Sequence, residues 1–258
     1  MPFTVSHVAA VLPVHRPLSR LRLFSAAVIG SMVPDFGLLL PGNFARWQTH
    51  SLRALITFCL PVGLAAYALT HALIRPAVLE VLPDGAYERL HRAPRPAWTR
   101  PRVWLAVVLA LLFGALTHLV WDGFTHENAR AVRLFPQLLN YGPEMAGREL
   151  RLYIWAQYGS SVVGLAAVAA ALWLWLRHAP APRPRPVRRL APLERAAWLL
   201  LYAVPVPLAV AGYALRPLLA RHVPLLSGGA LGEIAVTAMR AAALALLVVS
   251  ALLRVRLG

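Results

Sequence analysis

The sequence predicts an all-α protein that crosses a membrane several times, and three observations support that prediction. Of the 258 residues, 59% are apolar and only 14% are charged, whereas soluble domains are typically about 25% charged. A soluble fold of this size could not bury so much apolar surface. The apolar residues also form long uninterrupted runs, as membrane-spanning helices require. A soluble enzyme and a disordered chain are therefore both excluded.

The first apolar run, 23–40, is interrupted by Pro34-Asp35, so we expect a short helix or one broken at that dipeptide. Small residues at Gly30 and Ser31 would allow another helix to approach it closely. Each later run is long enough to cross a bilayer as a helix. These later runs are 54–74, 103–121, 152–176, 196–215 and 234–253. The sequence thus predicts about six transmembrane helices.

The charges of the connecting segments predict an orientation. The chain carries 26 basic residues, all of them arginine, against 10 acidic ones, for a net charge of +16. With the N-terminus inside, 17 arginines fall on the cytoplasmic side and 8 on the other, leaving Arg240 within the last run. This distribution follows the positive-inside rule and predicts that both termini lie inside. Because the arginines lie between apolar runs, the lipid bilayer is the expected partner and nucleic acid is not.

One connecting segment divides the chain. Residues 178–195 are rich in arginine and proline, a composition typical of an extended linker. The residues that carry candidate chemistry all precede this linker. We therefore expect an N-terminal helical unit over 1–177, a cytoplasmic linker over 178–195, and a C-terminal pair of transmembrane helices over 196–258.

Three ionisable residues near the end of the third run are spaced four apart: His118, Asp122 and His126. On a helix they form one stripe about 12 Å long. Ionisable residues are costly at membrane depth, so a function is the first hypothesis for them. Imidazole and carboxylate groups are typical ligands of zinc. Binding of all three to one ion would require the helix to bend or unwind at Gly123. The alternative is that Asp122 and His126 only cap the helix at the water interface.

Three further residues are candidates for the same site. Asp35 follows Pro34, which weakens the helix locally, so its carboxylate could bind a metal or activate water. His50 precedes the second run and lies on the same outer side as Asp122 in the predicted topology. His7 falls in a segment, 3–14, that is too short to span but could form a half-buried helix. It would approach Asp35 if the two segments pack antiparallel.

The motifs around these residues resemble a known family. The motifs are residues 1–7 (Met-Pro-Phe-Thr-Val-Ser-His), residues 30–36 (Gly-Ser-Met-Val-Pro-Asp-Phe), His50-Ser51 with Leu60-Pro61, and residues 117–126 (Thr-His-Leu-Val-Trp-Asp-Gly-Phe-Thr-His). Together, and in this order, they resemble a bacterial membrane family catalogued as a domain of unknown function, numbered 4184. The resemblance covers roughly residues 1–177 and leaves open whether it extends over the whole chain. It implies a protein of the bacterial plasma membrane and supplies no activity.

A looser similarity is to inner-membrane proteins described as metal-dependent hydrolases. Those proteins also pair an early histidine with a Pro-Asp motif and later His/Asp clusters. The similarity implies that the candidate residues are metal ligands or catalytic groups. We assign the ligands to His7, His50, His118, Asp122 and His126, and the catalytic carboxylate to Asp35. The hydrolase-type motif carries a second acid after its Pro-Asp, where this chain has Phe36-Gly37, so the number of metal ions stays open.

The sequence therefore predicts a membrane-embedded hydrolase that uses a divalent metal, zinc, on an amphiphilic, lipid-like substrate near the outer face. A transporter could use the same histidines and aspartates as a proton or metal relay. A non-catalytic scaffold could use them to join helices. Flux in proteoliposomes would identify the transporter, and a lack of bound metal would favour the scaffold.

Overall fold

The computed structural model describes residues 3–42, 44–91, 101–145, 147–178, 190–220 and 228–257. About four-fifths of these residues are helical, which confirms the predicted all-α fold class. The described part also contains one β-hairpin, in which β1 (Tyr141–Met145) and β2 (Arg148–Arg151) pair antiparallel. Gly147, with a φ of 77°, lies in its turn. The hairpin was not predicted, because its strands are largely polar and show no apolar alternation.

The helices of the described residues have the following bounds. The α-helical elements are α1 (His15–Arg20), α2 (Phe24–Gly30), α3 (Arg46–Thr49), α4 (Leu55–Val81), α5 (Asp84–His91), α6 (Pro101–Asp122), α7 (Arg130–Leu134), α8 (Leu152–His178), α9 (Pro192–Ala203), α10 (Pro205–Ala220) and α11 (Gly228–Leu257). Helix α4 contains π-helical turns at Leu55–Cys59 and Thr70–Ile74. The 3₁₀ helices are Thr4–Val14, Val33–Leu38 and Pro136–Leu139.

Within the described residues, five stretches are long and apolar enough to cross a membrane. They are Leu55–Val81, Pro101–Asp122, Leu152–His178, Pro192–Leu215 and Gly232–Leu257. Each coincides with one of the last five apolar runs, because a run of about 20 apolar residues is what a spanning helix needs. The chain is therefore an integral membrane protein by the length and composition of its helices.

The first apolar run behaves differently. Helix α2 has only 7 residues, and the chain turns at Ser31 and Met32 before it continues as the 3₁₀ helix Val33–Leu38. The run is therefore broken, as expected, but the break begins before Pro34. A sixth crossing by this segment stays a prediction.

The N-terminal segment folds back on itself as a helical hairpin. The 3₁₀ helix Thr4–Val14 leads into α1, and Arg22, with a φ of 62°, lies in the turn that returns the chain into α2. Val8, Val11 and Ala27 form its buried core, and Val168 of α8 packs against them. The half-buried helix expected around His7 is therefore present, and it is of the 3₁₀ type.

Helices α2 and α6 approach each other through glycine. A Cβ atom on Gly30 would lie 2.2 Å from the carbonyl oxygen of Leu111, and one on Gly114 would lie 2.2 Å from that of Ala27. No side chain fits at either position, so the two backbones touch. This confirms the close approach predicted at Gly30, and it brings Ser31 against α6.

The chain divides into two compact units. The first comprises Met1–Gly37, Gly42–Tyr67 and Pro96–Arg177, and the second comprises Leu38–Pro41, Ala68–Arg95 and His178–Gly258. In the second unit, Ala77, Val81 and Leu253 form a buried cluster against Trp198 and Tyr202. The predicted linker, 178–195, falls largely on 179–189, which lie outside the described residues. The predicted domain boundaries stay a prediction.

The second unit also contains polar contacts. Arg195 Nη1 lies 2.6 Å from Asp84 Oδ1, and Arg240 Nε donates to the carbonyl oxygen of Leu38 at 2.6 Å. The candidate site residues, in contrast, all belong to the first unit.

Candidate metal centre

The first unit brings five of the six candidate residues into one buried cluster, defined here as the metal centre. The 3₁₀ helices supply His7 and Asp35, the residue after α3 supplies His50, and the end of α6 supplies the other two. The five residues are His7, Asp35, His50, His118 and Asp122. Their side chains are at most 6% exposed. Tertiary folding thus joins residues that lie far apart in the sequence.

Asp122 lies among three imidazoles. Its Oδ1 is 3.5 Å from His7 Nε2, and its Oδ2 is 3.5 Å from His50 Nε2 and 3.7 Å from His118 Nε2. Zinc binds such atoms at about 2.0–2.2 Å, so two ligand atoms at the corners of a zinc tetrahedron are about 3.4 Å apart. Each of the three distances is therefore close to the separation of two ligand atoms on one tetrahedral ion.

Asp35 approaches the same imidazoles from another side. Its Oδ1 lies 3.3 Å from His50 Nε2 and 3.6 Å from His118 Nε2. Two sets of three residues have ligand atoms within 4.8 Å of one another: His7, Asp35 and His118, and His50, His118 and Asp122. The two sets overlap at His118.

The protonation of His118 decides how many ions the two sets can hold. Its Nδ1 is 2.8 Å from the carbonyl oxygen of Ser31, and because a carbonyl can only accept, Nδ1 carries the proton. Only Nε2 keeps a lone pair for a metal, and one nitrogen binds one ion. A single ion can therefore use His118 in one set or in the other, but two ions cannot use it at once.

Hydroxyl groups hold two other members in place. Thr49 Oγ1 lies 2.6 Å from His50 Nδ1 and 3.5 Å from the carbonyl oxygen of Arg46. It can accept from the ring and donate to the carbonyl, which leaves His50 Nε2 facing the centre. Thr4 Oγ1 donates to Asp35 Oδ2 at 2.7 Å, which leaves Asp35 Oδ1 facing the same point.

The atoms that face the centre make no hydrogen bonds to any described residue. They are His7 Nε2, Asp35 Oδ1, His50 Nε2 and His118 Nε2, all fully buried. A buried polar atom without a partner costs about 1–3 kcal/mol, and four of them converge here. A cation bound by the three nitrogen atoms would satisfy them at once with Asp35 Oδ1 beside it, so the donor set fits a divalent metal.

Aromatic packing supports His7. Its ring stacks on that of His118, with centroids 3.7 Å apart and planes at 19°. The edge of Trp121 lies against it, with centroids 5.6 Å apart, and the Trp121 indole N–H donates to Ser160 Oγ at 3.1 Å. These contacts fix the ring of His7 although it belongs to the most N-terminal helix.

His126 lies at the edge of the cluster. Helix α6 ends at Asp122 and the chain turns through Gly123, so the predicted stripe bends there. His126 Nδ1 is 3.6 Å from Asp122 Oδ2 and 3.1 Å from Thr125 Oγ1, and neither three-residue set includes it. Its role as a ligand stays a prediction.

Two of the imidazoles that lie outside the spanning helices are neutral near pH 7. Burial lowers the pKa of His126 to about 4. Burial also lowers the pKa of His50 below its ordinary value, against the opposing effect of its contact with Asp35. A neutral imidazole keeps the lone pair that a metal requires.

Arg46 was not predicted as part of the site. Its Nη2 donates to Asp122 Oδ2 at 2.8 Å, and its side chain is 42% exposed whereas that of Asp122 is 2% exposed. The guanidinium therefore connects the buried centre to its solvent-exposed rim. Its position four residues before His50 was the available signal, because residues i and i+4 share one face of a helix.

Comparison with known proteins identifies the family of this chain. The family described as a domain of unknown function (DUF4184) matches residues 1–251. The chain is a member of DUF4184. The match extends the resemblance seen in the first 177 residues to almost the whole chain. No curated protein and no solved structure matches it.

Membership in DUF4184 carries no activity, so the chemistry of this member has to come from its own residues. The structure adds Thr4, Ser31, Arg46 and Thr49 to the centre. Ser31 contributes only a backbone carbonyl to His118, which no side-chain pattern could reveal. The two threonines also give no signal in the sequence, because a threonine near a histidine is common in any protein.

Proposed function

We propose that this DUF4184 protein is a membrane-embedded hydrolase that binds one zinc ion. Three imidazoles and one carboxylate hold the ion: His7, His50, His118 and Asp122. This donor set is typical of zinc rather than of magnesium or calcium, which prefer oxygen ligands. The observation that supports the proposal is the convergence of buried, unpartnered nitrogen and oxygen atoms.

Asp35 is the base in this proposal. A bound zinc ion lowers the pKa of water and polarises the bond under attack. Asp35 Oδ1 faces the centre and makes no hydrogen bond to the described residues, so it can accept a proton there. Thr4 holds the other carboxylate oxygen and fixes the orientation of the group.

Arg46 indicates the class of substrate. A guanidinium binds phosphate oxygens through paired, charge-assisted hydrogen bonds, and that of Arg46 is half-exposed beside Asp122. The substrate in this proposal is a phosphoester. Its hydrolysis breaks the bond between phosphorus and the leaving oxygen and forms one between phosphorus and the water oxygen. The proton taken by Asp35 is returned to the leaving group.

The centre lies where a lipid-like substrate would meet water. Helix α6 ends at Asp122, and α4 begins at Leu55, shortly after His50. Both positions are ends of candidate membrane spans, so the polar part of an amphiphile reaches the centre while its apolar part stays in the bilayer.

The scaffold alternative is disfavoured by the same atoms. Polar residues that only join helices would bond to one another, and interhelical hydrogen bonds are worth about 0.6–2 kcal/mol each in membranes. Here the imidazole nitrogen and carboxylate oxygen atoms lie 3.3–3.7 Å apart, farther than the roughly 2.7–2.9 Å of strong charge-assisted hydrogen bonds. This arrangement is understandable for ligands and costly for a scaffold.

The direct test is elemental analysis of detergent-purified protein together with an assay on p-nitrophenyl phosphoesters. We expect about one zinc ion per chain, since a single lone pair of His118 serves both ligand sets. Hydrolysis should stop with a chelator and return with zinc. His15→Ala, an exposed histidine of the same unit, is the matched control. Protein without metal would overturn the proposal, and metal flux in proteoliposomes would favour a transporter.

The proposal also places the centre on the outer side, with six passes and both termini inside, as the arginine distribution predicts. A single cysteine at the exposed Asn128, in a Cys59→Ala background, should react with an impermeant thiol reagent in intact cells. One at Ala181, in the predicted cytoplasmic linker, should react only after lysis. The opposite labelling pattern would place the centre in the cytoplasm.

A further inference from the structure

An apolar groove of about 560 Å³ lies beside the metal centre. Its walls include Ala10 of the first 3₁₀ helix, Phe113 and Leu116 of α6, and Ala156 of α8, and the segment after α6 closes one end. The volume is within the roughly 300–1,000 Å³ of small-molecule sites. The distance from Phe113 to Trp121 along α6 is about 12 Å, so the groove follows the helix.

One end of the groove reaches the residues that surround the metal. Trp121 and Thr125 both line it. The ring of Trp121 packs against His7, and Thr125 Oγ1 lies 3.5 Å from Asp122 Oδ1. Each of these two residues therefore contacts the groove on one side and a proposed ligand on the other.

The groove lies at membrane depth. It runs between α6 and α8, two of the candidate spans, and two large apolar residues on its α6 wall, Phe113 and Leu116, are 41% and 43% exposed. An acyl chain is the elongated apolar group that a bilayer supplies at this depth.

We propose that the groove binds one acyl chain of the substrate and so directs the phosphoester to the metal centre. The substrate class is then a lipid phosphoester, not a soluble one. This inference rests on the proposed hydrolase function for the identity of the head group, whereas binding of the chain is separable from it. Chain binding should be saturable, unlike the lipid contacts of outward residues such as Leu109, which is 60% exposed.

The test uses a lysophosphatidic acid whose palmitoyl chain carries a photoactivatable diazirine, with the full chain in nanodiscs. Labelling of the α6 peptide around Phe113–Trp121 should saturate and be competed by unlabelled lipid. Leu116→Trp, which fills the groove, should lower this labelling about tenfold. Leu109→Trp adds the same ring to the same helix outside the groove and should leave it unchanged.

A second variant and the zinc content of each protein separate the groove proposal from the hydrolase proposal. Ala156→Phe narrows the groove from α8 and should reduce labelling as Leu116→Trp does, with zinc content equal to the parent's in both. Labelling that rises in proportion to lipid, or is equal in all variants, would overturn the groove proposal even with zinc bound. Saturable labelling of a protein that contains no zinc would support the groove proposal and overturn the hydrolase proposal.

Discussion

Asp122→Asn should remove most of the zinc from the purified protein and leave the protein folded. Asp122 approaches His7, His50 and His118 at 3.5–3.7 Å, so it is the carboxylate that all three imidazoles share. An amide is neutral and a much poorer zinc ligand. Loss of a residue that only hydrogen-bonds to a metal ligand lowers metal affinity roughly 10–100-fold. We expect the zinc affinity of Asp122→Asn to fall by more than that. Elemental analysis and the zinc-dependent shift in Tm measure the effect.

The metal-free stability of Asp122→Asn should stay close to that of the metal-free parent. Asn keeps the size of Asp and removes a buried charge that is costly at this depth. Loss of the ion pair with Arg46 should change the free energy of unfolding little, because that side chain is 42% exposed and water can solvate it. Glu127→Gln, an exposed carboxylate that pairs with Arg151 at 2.9 Å, is the control. Parent-like zinc content would exclude Asp122 from the site.

Asp35→Asn should strongly lower the rate of hydrolysis while most of the zinc remains. A positioned general base contributes about 10²–10⁴-fold to a rate, so kcat should fall by at least that lower bound at saturating zinc. Asn can still accept from Thr4, which bonds Asp35 Oδ2 at 2.7 Å, so the fold around it should persist. Measuring kcat and zinc content on the same preparation separates chemistry from metal binding.

The control for Asp35→Asn is Asp84→Asn, an aspartate of the second compact unit that is 69% exposed. It should change neither quantity. Loss of zinc from Asp35→Asn would make Asp35 a ligand, as its place in one of the two ligand sets allows. The assignment of the base would then be wrong, and the remaining question would be which group takes the proton.

The sequence predicted the helices that local composition determines. A run such as 103–121 needs no tertiary information, because any stretch this apolar and this long forms a spanning helix in lipid. The first run was harder to predict, since its helix already stops at Gly30. Its geometry depends on the backbone contact with Gly114, which lies more than eighty residues away in the chain.

The candidate site shows the same division. The spacing of His118 and Asp122 was enough to place both on one helix face. The stacking of His7 on His118 was not predictable, because it depends on the path of the N-terminal hairpin. Arg46 was missed although it precedes His50 by four residues. The four-residue helix α3 is too short to give a periodic signal.

The contact of Gly30 with α6 has a consequence for how the protein is made. His7 and Asp35 are synthesised long before His118 and Asp122, and α6 is the surface on which they meet. Until α6 is inserted, His7 and Asp35 lack the contacts that Asp122 and His118 supply, and polar groups without such contacts are costly in a membrane. Insertion of α6 supplies His118 and Asp122 and so completes the cluster of histidines and aspartates. On the proposed function, a chain can therefore bind its metal only after α6 has been inserted.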